Sequence, residues 1–231
     1  KFLQHFMWIA YAMDRIGDHH DEMWDEKDGF FYDVLRLPDG SALRLKVRSM
    51  VGLLPLCAST IFEPDAVVAH PRLLELIRLF RERHPEVVAH VAPTDEGYVG
   101  HGGRRLLSPL SREKLERVLR YLVDENEFLG PFGIRSLSRH HAEHPFEFRV
   151  GGEVHRVSYL PAESDTGMFG GNSNWRGPVW MPVNALIVRG LLNLYAFYGD
   201  DFTIECPAGS GQRMTLFGIA EEISRRLART F

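Results

Sequence analysis

Residues 161–184 read PAESDTGMFGGNSNWRGPVWMPVN and run directly into ALIVRGLLNLYAFY at 185–198. The join is abrupt. On one side stand two carboxylates, several amides, an arginine, glycines and two tryptophans. On the other, Val183, Leu186, Ile187, Leu191 and Leu194 recur at helical spacing behind Pro182, a residue suited to the first turn of a helix. A hydrophobic core has no use for that polar mixture, but a pocket for a polyhydroxylated ligand does. Sugar hydroxyls seek carboxylates, amides and guanidinium groups, and sugar C–H faces seek indole rings.

Within the stretch, Glu163 and Asp165 are one residue apart, so an extended backbone turns both to one side. Paired carboxylates suit general acid/base work at a glycosidic bond and equally suit plain hydroxyl binding. The plainer alternative is a carboxylate that caps a turn or pairs with Arg176. Gly170 and Gly171 let backbone approach a ligand, Asn172, Asn174 and Arg176 add donors and acceptors, and Trp175 and Trp180 add stacking faces.

Outward from this centre, helical periods predict segments at 2–16 (Phe2, Phe6, Ile9, Met13, Ile16), 73–80, 115–123 with Ser111 as N-cap, and 216–227. A shorter helix is expected from Val51 to Phe62. Two β-hairpins are expected: 30–37 with 43–47 around Pro38-Asp39-Gly40, and 146–150 with 154–159 around Gly151-Gly152. The glycine-rich segment 97–110 reads as a loop. Helices joined by long loops are the result, and long loops in a compact domain usually carry function.

Bulk properties narrow the classes. The 231 residues are 45% hydrophobic with a formal net charge of −4, which suits one sizeable domain and favours neither nucleic acid nor an anionic membrane as partner. No apolar run approaches the ~20 residues of a membrane span. Cys57 and Cys206 stand alone, without zinc spacing, as expected of free thiols in a reducing, cytoplasmic setting. The acidic turn at Asp25, Glu26 and Asp28 lacks the glycine and terminal glutamate of a calcium loop. Arg48 could point into a pocket or pair with a carboxylate. His140, His141 and His144 form an HHxxH cluster without the glutamate of a zinc-protease motif, and no metal is assigned. His101 lies among glycines as in an oxyanion loop, but no GxSxG follows, which disfavours a serine hydrolase.

WDEKDGFFYDVLRLPDG at 24–40, VRSMVGLLPL at 47–56, ESDTGMFGGNSNWRGPVWMPVN at 163–184, YGDDF at 198–202 and ECPAGSGQ at 205–212 together resemble glycoside hydrolase family 63, that of processing α-glucosidase I and its bacterial relatives. The resemblance covers nearly all of the chain and is least marked over 63–110. It implies a mainly α fold, part of an (α/α)6 barrel, with the two β-hairpins lying in its loops. It implies inverting hydrolysis of an α-glucosidic bond in an oligosaccharide or glucoside, with an aspartic acid protonating the leaving oxygen and a glutamate activating water. No organic cofactor is implied.

In related trehalase-like barrels a tryptophan-rich loop in this place shapes the innermost sugar subsite. The resemblance therefore assigns Asn174, Trp175, Arg176 and Trp180 to substrate binding, with Glu163 and Asp165 as hydroxyl ligands. The family's acid and base match segments before Lys1 and beyond Phe231, so no catalytic residue is assigned here. Residues 1–231 are expected to be a single segment of a larger catalytic domain, cut at both ends, whose partner is the remainder of the barrel or a second copy. A non-catalytic carbohydrate-binding module, or a sugar isomerase or phosphorylase on a similar helical barrel, are the alternatives.

Overall fold

The computed structural model describes residues 1–14, 22–69, 71–88, 99–160 and 179–231. Helix α1 (Phe2–Asp14) comes first, burying Met7 and Ala10. Strands β1 (Trp24–Asp25) and β2 (Phe30–Phe31) pair antiparallel, with Trp24 opposite Phe31. Strands β3 (Asp33–Arg36) and β4 (Ala42–Leu45) form the first expected hairpin, somewhat shorter than its sequence pattern.

The next segment departs from expectation. In place of an α-helix to Phe62, a 3-10 helix spans Met50–Cys57 with Pro55 inside it, and strand β5 (Thr60–Phe62) follows. Proline cannot donate the amide hydrogen that an α-helix needs at that place. After α2 (Pro64–Ala69), α3 (Pro71–Arg83) and α4 (Pro85–Val88), strand β6 (Arg105–Leu107) pairs with β5. Residues 97–110, expected as a loop, thus contribute a strand. Its partner is remote in sequence, so no local alternation reveals it.

Helix α5 (Arg112–Leu122) begins where Ser111 accepts a hydrogen bond from the Lys114 amide, as the N-cap assignment requires. Strands β7 (Leu129–Gly130) and β8 (Gly133–Ile134) make a tight hairpin. Strands β9 (Phe146–Val150) and β10 (Glu153–Val157) form the second expected hairpin, whose turn holds Gly151 at φ 60° and Gly152 at φ 84°. Two consecutive positive φ angles are what a tight hairpin turn demands and what glycine permits. Helix α6 (Met181–Tyr198), strands β11 (Thr203–Glu205) and β12 (Arg213–Thr215), and helix α7 (Leu216–Ala228) complete the chain. Six two-stranded antiparallel sheets occur among the described residues where two hairpins were expected.

The main core lies where α5, α6, α7 and the 3-10 helix meet. Leu115, Val118, Leu119 and Leu122 of α5, Ile187 and Leu191 of α6, and Leu216, Ile219 and Ile223 of α7 are all 0% exposed. Burying each such side chain contributes about 1.5–3 kcal/mol. Gly190 lets α6 lie directly on the 3-10 helix, since a Cβ there would stand 2.5 Å from the Leu56 carbonyl oxygen. Phe30 joins the β1–β2 turn to this core by stacking on Phe128 at 5.8 Å. A smaller cluster of Met7, Ala10, Phe80, Val87 and Leu107 ties α1, α3 and α4 to β6.

Candidate functional site

Of the six residues assigned to saccharide binding, Glu163, Asp165, Asn174, Trp175 and Arg176 lie outside the described residues. Trp180 is described: it is half-buried against the main core and precedes the first turn of α6 with extended backbone. The structure does describe the two places where the chain enters and leaves 161–178, and both rest on one segment, 134–144.

On the entering side, the Tyr159 amide donates to the His141 carbonyl at 3.1 Å. On the leaving side, Val179 forms a β-bridge with Arg135. The Arg135 guanidinium lies 6.0 Å from the Tyr159 ring and donates to the carbonyls of Glu125 and Glu127 at 3.1 and 3.2 Å, so one buried residue meets both approaches, one with its side chain and the other with its backbone. Segment 134–144 is therefore a pedestal for both ends of the stretch that the sequence marks as ligand-binding.

The pedestal is fixed by a polar cluster. Arg48 pairs with Glu127 through Nη1, and Ser138 donates its hydroxyl to the other Glu127 oxygen. Backbone bonds reinforce the link: Ser138 N–H to Arg48 O at 2.9 Å and Arg139 N–H to Glu127 O at 3.0 Å. The Arg48 guanidinium lies 5.1 Å from the centre of the Tyr121 ring, where a cation–π attraction operates. Arg48, which sequence left open between pocket and pairing, is thus paired.

Burial raises the Glu127 carboxyl above the ordinary range, although Ser138 and Arg48 pull it back down. With both oxygens committed, Glu127 serves as an anchor for Arg48 more readily than as a proton donor to a ligand. Beside it, Lys27, Asp28, Arg117, Tyr121 and Asp124 help line a polar hollow of about 310 Å³.

The histidines take defined parts in this cluster. His141 Nε2 accepts the Arg48 amide hydrogen at 2.9 Å, and Nδ1 lies 2.9 Å from the His144 carbonyl. An acceptor at Nε2 requires the proton on Nδ1, so the ring is neutral and its tautomer is set by backbone groups. His140 stacks on His144 with ring centres 4.5 Å apart. Burial, the Arg48 charge and the neighbouring imidazoles push His140 down to about 4. Both nitrogens of His141 being engaged, the HHxxH cluster reads as architecture, and no metal-binding group of three appears among the described residues.

The acidic turn is also structural. Burial pushes the Asp25 carboxyl up, but hydrogen bonds from Lys46 and the Asp28 amide, with the Lys46 and Arg44 charges, outweigh it and hold the group at about 2. The aromatic groups beside the turn are likewise engaged: Tyr32 donates to Asp28 at 3.0 Å, and Tyr121 donates to the Asp28 carbonyl at 2.7 Å.

Sequence reasoning missed Asn184, quoted within the motif but given no role. It is 0% exposed. Its Oδ1 accepts the Ile134 amide at 2.7 Å, and its Nδ2 donates to the carbonyls of Ile134 at 3.1 Å and Trp180 at 2.9 Å. Arg226 was missed too. It bonds Glu222 at 2.7 Å, Glu125 at 2.7 Å and the Gly130 carbonyl at 3.1 Å, gripping the β7–β8 hairpin from α7. A signal for Arg226 was present: Glu222 and Arg226 stand four apart on the inward face of a periodic helix, and such charges need partners when buried.

An uncharacterized protein of Saccharomyces cerevisiae is 42% identical over 243 aligned residues, which take in 100% of this chain but 22% of that relative. The chain thus spans about a fifth of the relative's length. The sequence model of the mannosylglycerate hydrolase MGH1-like glycoside hydrolase domain matches residues 106–229, more than half of the chain, including the whole of 134–144 and of 161–184. The chain belongs to the MGH1-like glycoside hydrolase domain family.

Proposed function

We propose that the whole protein hydrolyses an α-glucosidic bond in an oligosaccharide or glucoside with inversion at the anomeric carbon. The observation that carries this reading is the family match over 106–229, together with the resemblance of 163–184 to family 63. Glu163, Asp165, Asn174, Trp175, Arg176 and Trp180 would form one wall of the saccharide cleft within an (α/α)6 barrel. Carboxylates, amides and the guanidinium take the hydroxyls, and the indoles take the C–H faces. The proton donor and the base that activates water would come from outside residues 1–231, set far enough apart to admit that water.

The family's description names mannosylglycerate, which gives a second reading: the same wall accepts a mannosyl unit linked to glycerate. Both readings are tested by incubating the full-length protein with 4-nitrophenyl α-glucoside, α-linked gluco-oligosaccharides and mannosylglycerate, and following the first-formed anomer by proton NMR. The first reading expects release of β-glucose. Retained configuration would exclude inversion, and turnover confined to mannosylglycerate would favour the second reading.

A further inference from the structure

We propose that Asn184 is a positioning residue for Trp180, fixing where its indole stands relative to the β7–β8 hairpin. This rests on the reading of Trp180 as a substrate-binding residue. The amide of Asn184 does on β8 what a residue of a neighbouring strand would do: it takes both the N–H and the C=O of Ile134. Its remaining donor goes to the Trp180 carbonyl, which also accepts the Asn184 backbone amide at 3.0 Å. One residue on, Arg135 and Val179 continue the contact as a β-bridge. The chain leaving α6 backwards is thus aligned on the hairpin by directed bonds.

The axis of α6 does not need this amide. Ile187, Leu191 and Leu194, at 0–1% exposure, already seat the helix on the core. Apolar packing has no direction, however, and tolerates small rotations of a helix end. A buried amide with every hydrogen-bonding group matched tolerates far less. The Trp180 carbonyl accepts from both the side-chain and the backbone nitrogen of Asn184, so the backbone that carries the indole is tied to the hairpin. The close fit extends to the turn: a Cβ on Gly133 would come within 3.0 Å of Asn184 Oδ1.

The test uses full-length N184D and N184A, each assayed where circular dichroism shows it folded. Aspartate keeps the shape but replaces both donors with an acceptor facing two carbonyls; once protonated, it regains one donor. The expected result is a rise of about tenfold in KM for 4-nitrophenyl α-glucoside and in Kd for deoxynojirimycin, with kcat within about threefold of wild type. In N184D, but not in N184A, the affinity should recover as pH falls. A purely structural role would lower the active fraction and leave KM and its pH profile as in wild type, and that result would overturn the proposal. A wild type that neither cleaves the glucoside nor binds deoxynojirimycin would overturn the functional reading, and this role with it.

Discussion

His141 commits both ring nitrogens to backbone groups 93 and 3 residues away in sequence, and its carbonyl holds Tyr159. His141→Ala leaves the Arg48 amide and the His144 carbonyl without those partners, each costing about 1–3 kcal/mol where water is excluded. Urea unfolding should show a loss of about 2–6 kcal/mol for the two together, with little change in m-value. The histidines also set an acid limit. Burial, first of all, lowers the native pKa of His141 and of His140, the latter from 6.5 to about 4. Below pH 6.5 the unfolded chain takes up protons that the native rings refuse, so stability falls as pH drops and goes on falling to about pH 4 for His140. Melting temperature measured across that interval should decline less in a His140→Asn, His141→Asn double variant, which has no such protons to bind. A Glu127→Gln change strips the charge facing Arg48, whose side chain is only 19% exposed, and should cost about 3 kcal/mol.

At the scale of single elements, α5 was fully legible. Its four apolar positions recur at helical spacing, all four are buried, and Ser111 caps it as its side-chain chemistry predicts. Ser111→Ala should cost about 1 kcal/mol and Leu119→Ala about 2–5 kcal/mol in equilibrium unfolding. Helix α7 followed its stripe equally well, yet its second job was invisible: Arg226 reaches residues near 125 and 130, and no periodicity reports a contact across about a hundred positions. Arg226→Ala should cost about 1–3 kcal/mol because the buried Gly130 carbonyl loses its partner and Glu222, 6% exposed, keeps only the more exposed Arg225. The β5–β6 pair was illegible for the same reason, each strand being three residues long with its partner distant. So was Asn184, whose strand partner Ile134 lies 50 residues upstream. The reading of 161–184 rested on side-chain chemistry alone; the pedestal was hidden because the bonds that tie it to Arg48 are long-range.

Across the whole molecule, the β7–β8 hairpin is the common junction. α6 holds it through Asn184, α7 through Arg226, and Arg135 leads from it to Val179. At its turn, Gly133 sits at φ 116°, and a Cβ there would come 2.5 Å from Leu227 Cδ2. Gly133→Ala combines backbone strain with that collision, and about 2–4 kcal/mol of destabilisation is expected. Hydrogen exchange should then quicken in α6 and α7 together, while α1 and α3, which rest on the smaller core, keep wild-type rates.

The two native cysteines give the molecule a practical property. Burial raises both Cys57 and Cys206 thiols to about 11, and alkylating reagents attack the thiolate. Near neutral pH the unmodified protein should therefore take up maleimide slowly. A cysteine introduced at Glu153, whose side chain is 80% exposed on the glycine turn, should outpace both native thiols and receive a fluorophore without their prior removal.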